Sequence, residues 1–139
     1  MTSPRDLAAT EAELQRVLDQ GAFTRAYGFR VHAIGPGQCM LDVPFQPLFE
    51  RPGGIVGGQV FMAGADVAMR LAMMSRLGAG DGSGTSTMTS AFLDAARHEP
   101  FRCTARVVKL GRRLVYGVAE SVSGEGRLLT HHTLTYARR

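Results

Sequence analysis

Asp66 is a lone carboxylate in a long apolar stretch, Val60-Phe61-Met62-Ala63-Gly64-Ala65-Asp66-Val67-Ala68-Met69. Just ahead of it runs a glycine-rich turn, Arg51-Pro52-Gly53-Gly54-Ile55-Val56-Gly57-Gly58-Gln59. A charge in apolar surroundings is costly to bury unless it is paired, hydrogen-bonded or used. A glycine turn at a helix start leaves backbone N–H groups without intrahelical partners, and these suit a developing negative charge. A carboxylate together with an oxyanion site is the minimum equipment for attack on a carbonyl.

These groups need a helix to carry them and a sheet to pack that helix. Residues 59–77 read as the helix, apolar nearly all round, so other structure must surround it. Its methionines, Met62, Met69, Met73 and Met74, read first as core packing, with an adaptable pocket wall as the alternative. An N-terminal helix is predicted over about residues 4–20, with Ser3 as cap, Pro4 in the first turn, Asp6 near the dipole and Gly21 as the stop. Residues 29–34 read as a strand. After the Gly35-Pro36-Gly37 turn, Cys39, Leu41, Val43 and Phe45 alternate on a second. Residues 46–58 read as a loop and 78–84 as a flexible linker without phosphate-loop spacing. Strands follow over 85–93, 101–110, 113–122 and 128–136, joined by short turns that imply antiparallel neighbours. The expected fold class is α+β: one buried helix wrapped by a curved antiparallel sheet, in one domain over 1–139.

Composition narrows the function. Hydrophobic residues make up 45% of the 139 and charged residues 20%, as in a globular chain. No signal peptide is apparent, and the apolar stretch is too short and too charged for a bilayer. The formal net charge of +4 comes from basic residues that are all arginine except Lys109. Without a dense basic stripe this does not read as a nucleic-acid binder, and it suits an anionic small ligand. Cys39 and Cys103 lack any CxxC or metal spacing and read as buried reduced thiols of a cytoplasmic protein. His32, His98, His131 and His132 form no ligand set. His131 and His132 are adjacent on a strand and point to opposite faces, so no metal site is expected.

The order of elements and the turn resemble the hot-dog fold. The central segment resembles acyl-CoA thioesterases of the phenylacetic-acid-degradation (PaaI-like) type. That family's pattern is roughly N-P-x-G-x-x-H-G-G with an acid seven residues after the last glycine. Pro52, Gly54, Gly58 and Asp66 fall on it without a gap. Residues 85–97 (TSTMTSAFLDAAR) resemble the family's next segment and residues 107–114 its basic hairpin, so the similarity spans about residues 25–137. Three positions depart from the pattern: Arg51 stands for the asparagine, Gly57 for the histidine and Gln59 for the second glycine.

The resemblance implies hydrolysis of a small or medium-chain acyl-CoA, aromatic acyl groups included, with no cofactor beyond the coenzyme A of the substrate. It casts Asp66 as the group that activates water or attacks the thioester, and Gly58 as the oxyanion donor. The alternatives are an Asp66–Arg70 pair one helical turn apart and a glycine needed only for close packing. Arg51 would donate to the carbonyl, bind an acidic acyl group, or lie free in its loop. Gly57 would enlarge the acyl pocket beside Gln59. Thr85 matches a hydroxyl position that holds the water or acid, and Thr87 is expected on the same strand face, although ordinary strand propensity also explains both threonines. Arg97, Lys109, Arg112 and Arg113 are candidates for coenzyme A phosphates, or simply exposed. Gly58 and Asp66 lie eight positions apart, about 12 Å along one helix, too far for both to touch one carbonyl. They must then meet across two antiparallel helices, so a homodimer is expected, with dimers pairing further. A non-catalytic acyl-CoA-binding or regulatory protein is the alternative function. A hydratase is disfavoured because no histidine accompanies the acid at the helix start.

Overall fold

A computed structural model describes residues 7–139. The proposed cap Ser3, with Pro4 and Asp6, lies outside the described residues. The first helix, α1 (Glu11–Gln20), starts later than the sequence suggests, because Thr10 and Glu13 close a reciprocal capping box with two 3.1 Å hydrogen bonds. Gly21 ends it as expected, but a second short helix, α2 (Ala22–Tyr27), follows at once. Strands β1 (Arg30–Gly35) and β2 (Gln38–Val43) form the first hairpin. The stretch read as a loop holds a 3-10 turn (Pro47–Phe49) and a miniature hairpin, β3 (Glu50–Arg51) with β4 (Ile55–Val56). The long helix α3 (Gly58–Leu77) begins one residue earlier than expected. Strands β5 (Gly84–Phe92), β6 (Phe101–Leu110), β7 (Leu114–Ser123) and β8 (Leu128–Ala137) complete the chain.

Six strands make one antiparallel sheet in the order β1-β2-β6-β7-β8-β5. Register breaks at Val31/Ala33, Val107/Lys109, Ser121/Val122 and Thr85/Thr87. Such bulges bend strands and increase twist, which lets the sheet curl round a helix. The concave face is built from alternate strand residues, among them Cys39, Leu41, Val43, Cys103, Ala105, Val115, Ala119 and Leu134, all fully buried. Against it lie Ala65, Ala68, Met69, Leu71, Ala72 and Met73 of α3, each of the larger ones worth roughly 1.5–3 kcal/mol in transfer free energy. Three of the helix methionines are therefore core, as packing predicts. Met62 differs, being 40% exposed.

The two edges of the sheet are treated differently. Gln15 of α1 takes the Val31 amide at 2.7 Å and donates to the Phe29 carbonyl, so α1 covers the β1 edge. The outer edge of β5 has no partner among the described residues.

Candidate active site

Helix α3 shows an open stripe at four-residue spacing: Gly58, Met62, Asp66 and Arg70 are part-buried or exposed, and Val67, Ala68, Met69, Leu71, Ala72 and Met73 on its other side are buried in the core. This stripe runs alongside β5. At its start the Phe92 ring lies over Gly58, 3.1 Å from where a Cβ would stand. Eight residues on, the Thr85 hydroxyl donates to Asp66 Oδ1 at 2.7 Å. The β5 residues between, Met88 and Ser90, pair with the inward residues Leu134 and His132 of β8.

Asp66 is held by a second donor that the sequence reading missed. The Tyr136 hydroxyl on β8 donates to the same Oδ1 at 2.5 Å and also lies 2.9 Å from the Asp66 carbonyl. Tyr136 is fully buried, and a buried phenol needs a partner. Burial, then the Asp66 charge and the hydrogen bond to it, push the phenol well above its ordinary value, so it stays a neutral donor. With both donors on Oδ1, Asp66 Oδ2 has no hydrogen bond among the described residues. The signal was present in the sequence: Tyr136 shares the inward phase of β8 with Leu134. Only the position of α3 says what lies beneath it.

The expected Asp66–Arg70 alternative does not form. Arg70 turns away and donates to the Ser83 carbonyl at 3.1 Å, and no ion pair among the described residues includes Asp66. Thr85 and Thr87 do not share a face. The bulge pairs Thr85 with Tyr136 but Thr87 with Thr135, and neighbours on a strand point to opposite faces. Thr85 therefore meets Asp66 while Thr87 faces away from the helix.

The remaining residues fall at two ends of the protomer. Arg51, Gly57 and Gln59 line a cavity of about 290 Å³ with Tyr27, Leu48, Phe49, Glu50 and Val60, beside the start of α3. The backbone at Gly57 is extended (φ −66°), and a Cβ there would meet the end of the Gln59 side chain at 3.0 Å. Gln59 thus overlies the space where the resembling family has an imidazole. Arg97 is at this end too, donating to the Gly53 carbonyl at 2.9 Å. Lys109, Arg112 and Arg113 are exposed at the β6–β7 turn, near the opposite end, where Val115 pairs with Tyr136. Within one chain the glycine-turn group and the acid with the basic hairpin are apart. A larger cavity, about 690 Å³ between Arg30, Asp42, Phe101, Arg102 and Val122, contains none of these groups.

His132 and the cysteines stand apart from this chemistry. His132 is fully buried, with Nδ1 2.6 Å from Ser90 Oγ and Nε2 2.9 Å from Thr130 Oγ1. Burial, helped by neighbouring His131, pushes it down to about 4. His131 faces the other way, onto Glu120. Cys39 and Cys103 are buried free thiols, each pushed by burial up to about 12.

A family model described as Thioesterase superfamily matches residues 53–130, which contain the glycine turn from Gly53 on, the acid and four whole strands. A conserved protein of Pseudomonas aeruginosa superposes with a TM-score of 0.83 at 26% identity, over 90% of this chain and 98% of its own. A variant of the phenylacetic acid degradation protein PaaI of Thermus thermophilus gives 0.77 at 25% identity, over 86% and 100%. A hypothetical thioesterase protein of Streptococcus pneumoniae, solved with coenzyme A, gives 0.73 at 15% identity, over 80% and 85%, and shows likeness of fold alone.

Proposed function

Because the chain belongs to the Thioesterase superfamily, as a PaaI-like hot-dog member, we propose that it hydrolyses a small or medium-chain acyl-CoA, aromatic acyl groups included, at a site shared between two copies. The observation that carries this reading is the Asp66 carboxylate: two hydroxyls hold Oδ1 from the sheet side, and Oδ2 is left free on the open stripe. Oδ2 takes a proton from water as the water oxygen adds to the thioester carbon. The oxyanion forms against the Gly58 N–H, where the helix dipole and an unpaired first-turn donor favour negative charge. Collapse expels the coenzyme A thiolate, which takes up the proton, and leaves the free acid. Direct attack by Oδ2 on the carbon is the alternative route, through a mixed anhydride. Water that opens this anhydride at the aspartyl carbon leaves its oxygen on Asp66. A single turnover in ¹⁸O-water that labels Asp66 instead of the product acid therefore identifies the covalent route.

The second copy is supported by three features. Gly58 and Asp66 stand about 12 Å apart on one helix. The outer edge of β5, directly beside the open stripe, is unpaired among the described residues. Phe92, Leu93 and Met62 are exposed along that border. A two-fold pairing there sets the glycine-turn end of one protomer, with Arg51 and Arg97, against the acid end of its partner, with Lys109, Arg112 and Arg113 ready for coenzyme A phosphates. Pairing of two such dimers is the fuller assembly we propose, in the cytoplasm. No helix among the described residues is long and apolar enough to cross a membrane.

Turnover across a panel of acyl-CoAs, wild type beside Asp66→Asn, tests the reading. Hydrolysis by wild type and none by the variant supports it. Equal turnover by both would remove Asp66 from the chemistry. Binding of acyl-CoA without turnover by wild type would favour a non-catalytic binding or regulatory protein, to which Arg51 and Gly57 lend support as departures from the family pattern.

A further inference from the structure

The connection from β5 to β6, residues 93–100, grips the glycine turn at several separate points. The Ala96 carbonyl accepts from the Val56 amide at 2.9 Å, and Arg97 bridges to Ile55 in a strand-like pair. The Arg97 guanidinium donates to the Gly53 carbonyl at 2.9 Å. The His98 ring covers Gly54, standing 2.6 Å from where a Cβ would be. Gly54 has φ +77°, so only glycine meets both conditions without strain. Phe92, at the end of β5, covers Gly58 in the same way.

The connector is itself tied down by one side chain. Arg127, just ahead of β8, donates to Asp94 Oδ2 at 2.9 Å, to the Ala95 carbonyl at 3.1 Å and to Glu99 Oε2 at 3.0 Å. Glu99 Oε2 also accepts the Arg97 amide at 3.1 Å, which links the anchor to the grip. A fork of guanidinium N–H groups spanning three acceptors fixes orientation in a way a lysine cannot. Within this clasp His98 has φ +48°, the sole non-glycine positive φ among the described residues. Residues kept in such sparse backbone regions persist only where their surroundings over-determine them, and they gather beside functional sites.

We infer that residues 93–100 are a clasp that positions the Gly58 amide for the reaction, with Arg127 as anchor and Arg97 as the grip on the turn. This rests on the proposed role of Gly58 as carbonyl donor. Arg97 and Arg127 are positioning residues. Arg97, considered above for a coenzyme A phosphate, is committed to the Gly53 carbonyl instead. A donor that binds charge only as it develops must be placed to a fraction of an ångström. Loosening the turn therefore acts on the chemical step and hardly on substrate binding.

The test compares Arg97→Gln, Arg127→Lys and Arg127→Ala with wild type by steady-state kinetics and by amide hydrogen exchange. Arg97→Gln alters an exposed side chain and keeps the anchor, so it reports even if Arg127→Ala does not fold. Arg97→Gln and folded Arg127→Ala are each expected to lose about tenfold in kcat with KM within about twofold, and Arg127→Lys to lose less than Arg127→Ala. Exchange at the Val56 and Gly57 amides, which are bonded to the Ala96 and Phe49 carbonyls, is expected to quicken while Ala68 and Met69 in α3 stay protected. Unchanged kcat in folded variants overturns the proposal, and so does a rise in KM alone for Arg97→Gln, which would return that residue to substrate binding. If wild type hydrolyses no acyl-CoA, the hydrolase reading fails by itself. The exchange data then decide the clasp, which falls if the turn amides stay as protected as in wild type.

Discussion

At the scale of single residues the proposed site is a carboxylate with one oxygen hydrogen-bonded twice and the other without a hydrogen bond among the described residues. Asp66→Asn keeps the shape and both sheet-side contacts in reach but removes the base, so kcat is expected to fall by about 10²–10⁴-fold with the fold intact. Assays on purified protein with a circular-dichroism melt check both halves. Tyr136→Phe removes the 2.5 Å donor from Oδ1. It should cost kcat about tenfold, since a hydrogen bond to a charged group is worth about 1.5–3 kcal/mol. Thr85→Val should act similarly and Thr85→Ser should restore most of the rate. The double variant should lose less than the product of the single losses, because both donors serve one oxygen. Equal kinetics in Tyr136→Phe and wild type would reduce the phenol to a packing role. Arg51 lines the cavity beside Gly57, and its replacement by alanine separates two roles. Loss of kcat and kcat/KM together means carbonyl polarisation, whereas a KM effect confined to acidic acyl-CoAs means recognition of the acyl group.

At the scale of elements, β5 and the glycine turn decide what reaches the helix. The bulge in β5 turns Thr85 toward Asp66 and Thr87 away, so Thr87→Val should leave kinetics unchanged while Thr85→Val does not. In the turn, Gly54→Ala meets both a positive φ and the His98 ring, and should lower stability by about 1–2 kcal/mol in urea unfolding. The β5–β8 pairing also buries His132, whose imidazole is pushed from 6.5 down to about 4. In the native state it stays neutral down to about pH 4. As pH falls from 6.5 toward 4, the unfolded chain takes a proton there that the native chain refuses. Stability should drop through that window by about 3 kcal/mol and level off below it. Urea midpoints against pH, wild type beside His132→Gln, check this: the variant's profile should be flatter between pH 6.5 and 4.

At the scale of the whole molecule, the prediction is that no single chain holds a complete site. Asp66→Asn lacks the acid. Gly58→Pro lacks the amide donor at the first helical position, where backbone geometry tolerates proline and the Phe92 ring must shift to admit it. Each alone should keep at most about a hundredth of wild-type activity. Mixed in equal amounts after unfolding and refolding, half of the dimers are heterodimers with one intact site, so about a quarter of wild-type activity should return under a two-fold interface. No recovery in a mixture shown by mass spectrometry to hold heterodimers would place donor and acid in one protomer. Light scattering should find at least a dimer at assay concentration.

The sequence by itself determined the long helix and the main strands, and it pointed to the residues of the proposed site, but not α2 or the β3–β4 hairpin. Period-two alternation over Cys39, Leu41 and Val43 marks an inward strand face, and the apolar run around Asp66 marks a buried helix, because these periods follow from local backbone geometry. The glycine turn and the acid were legible for the same reason: both are contiguous in the chain. The tertiary structure decided what depends on register and long-range contact. A one-residue bulge reversed the face of Thr87, which no alternation pattern reveals in a strand of small polar residues. Tyr136 reached Asp66 from 70 positions away, Arg70 chose the Ser83 carbonyl over the acid, and Arg97 turned to the Gly53 carbonyl. Those partners are set by how the sheet curls round α3, and that curvature is a property of six strands together.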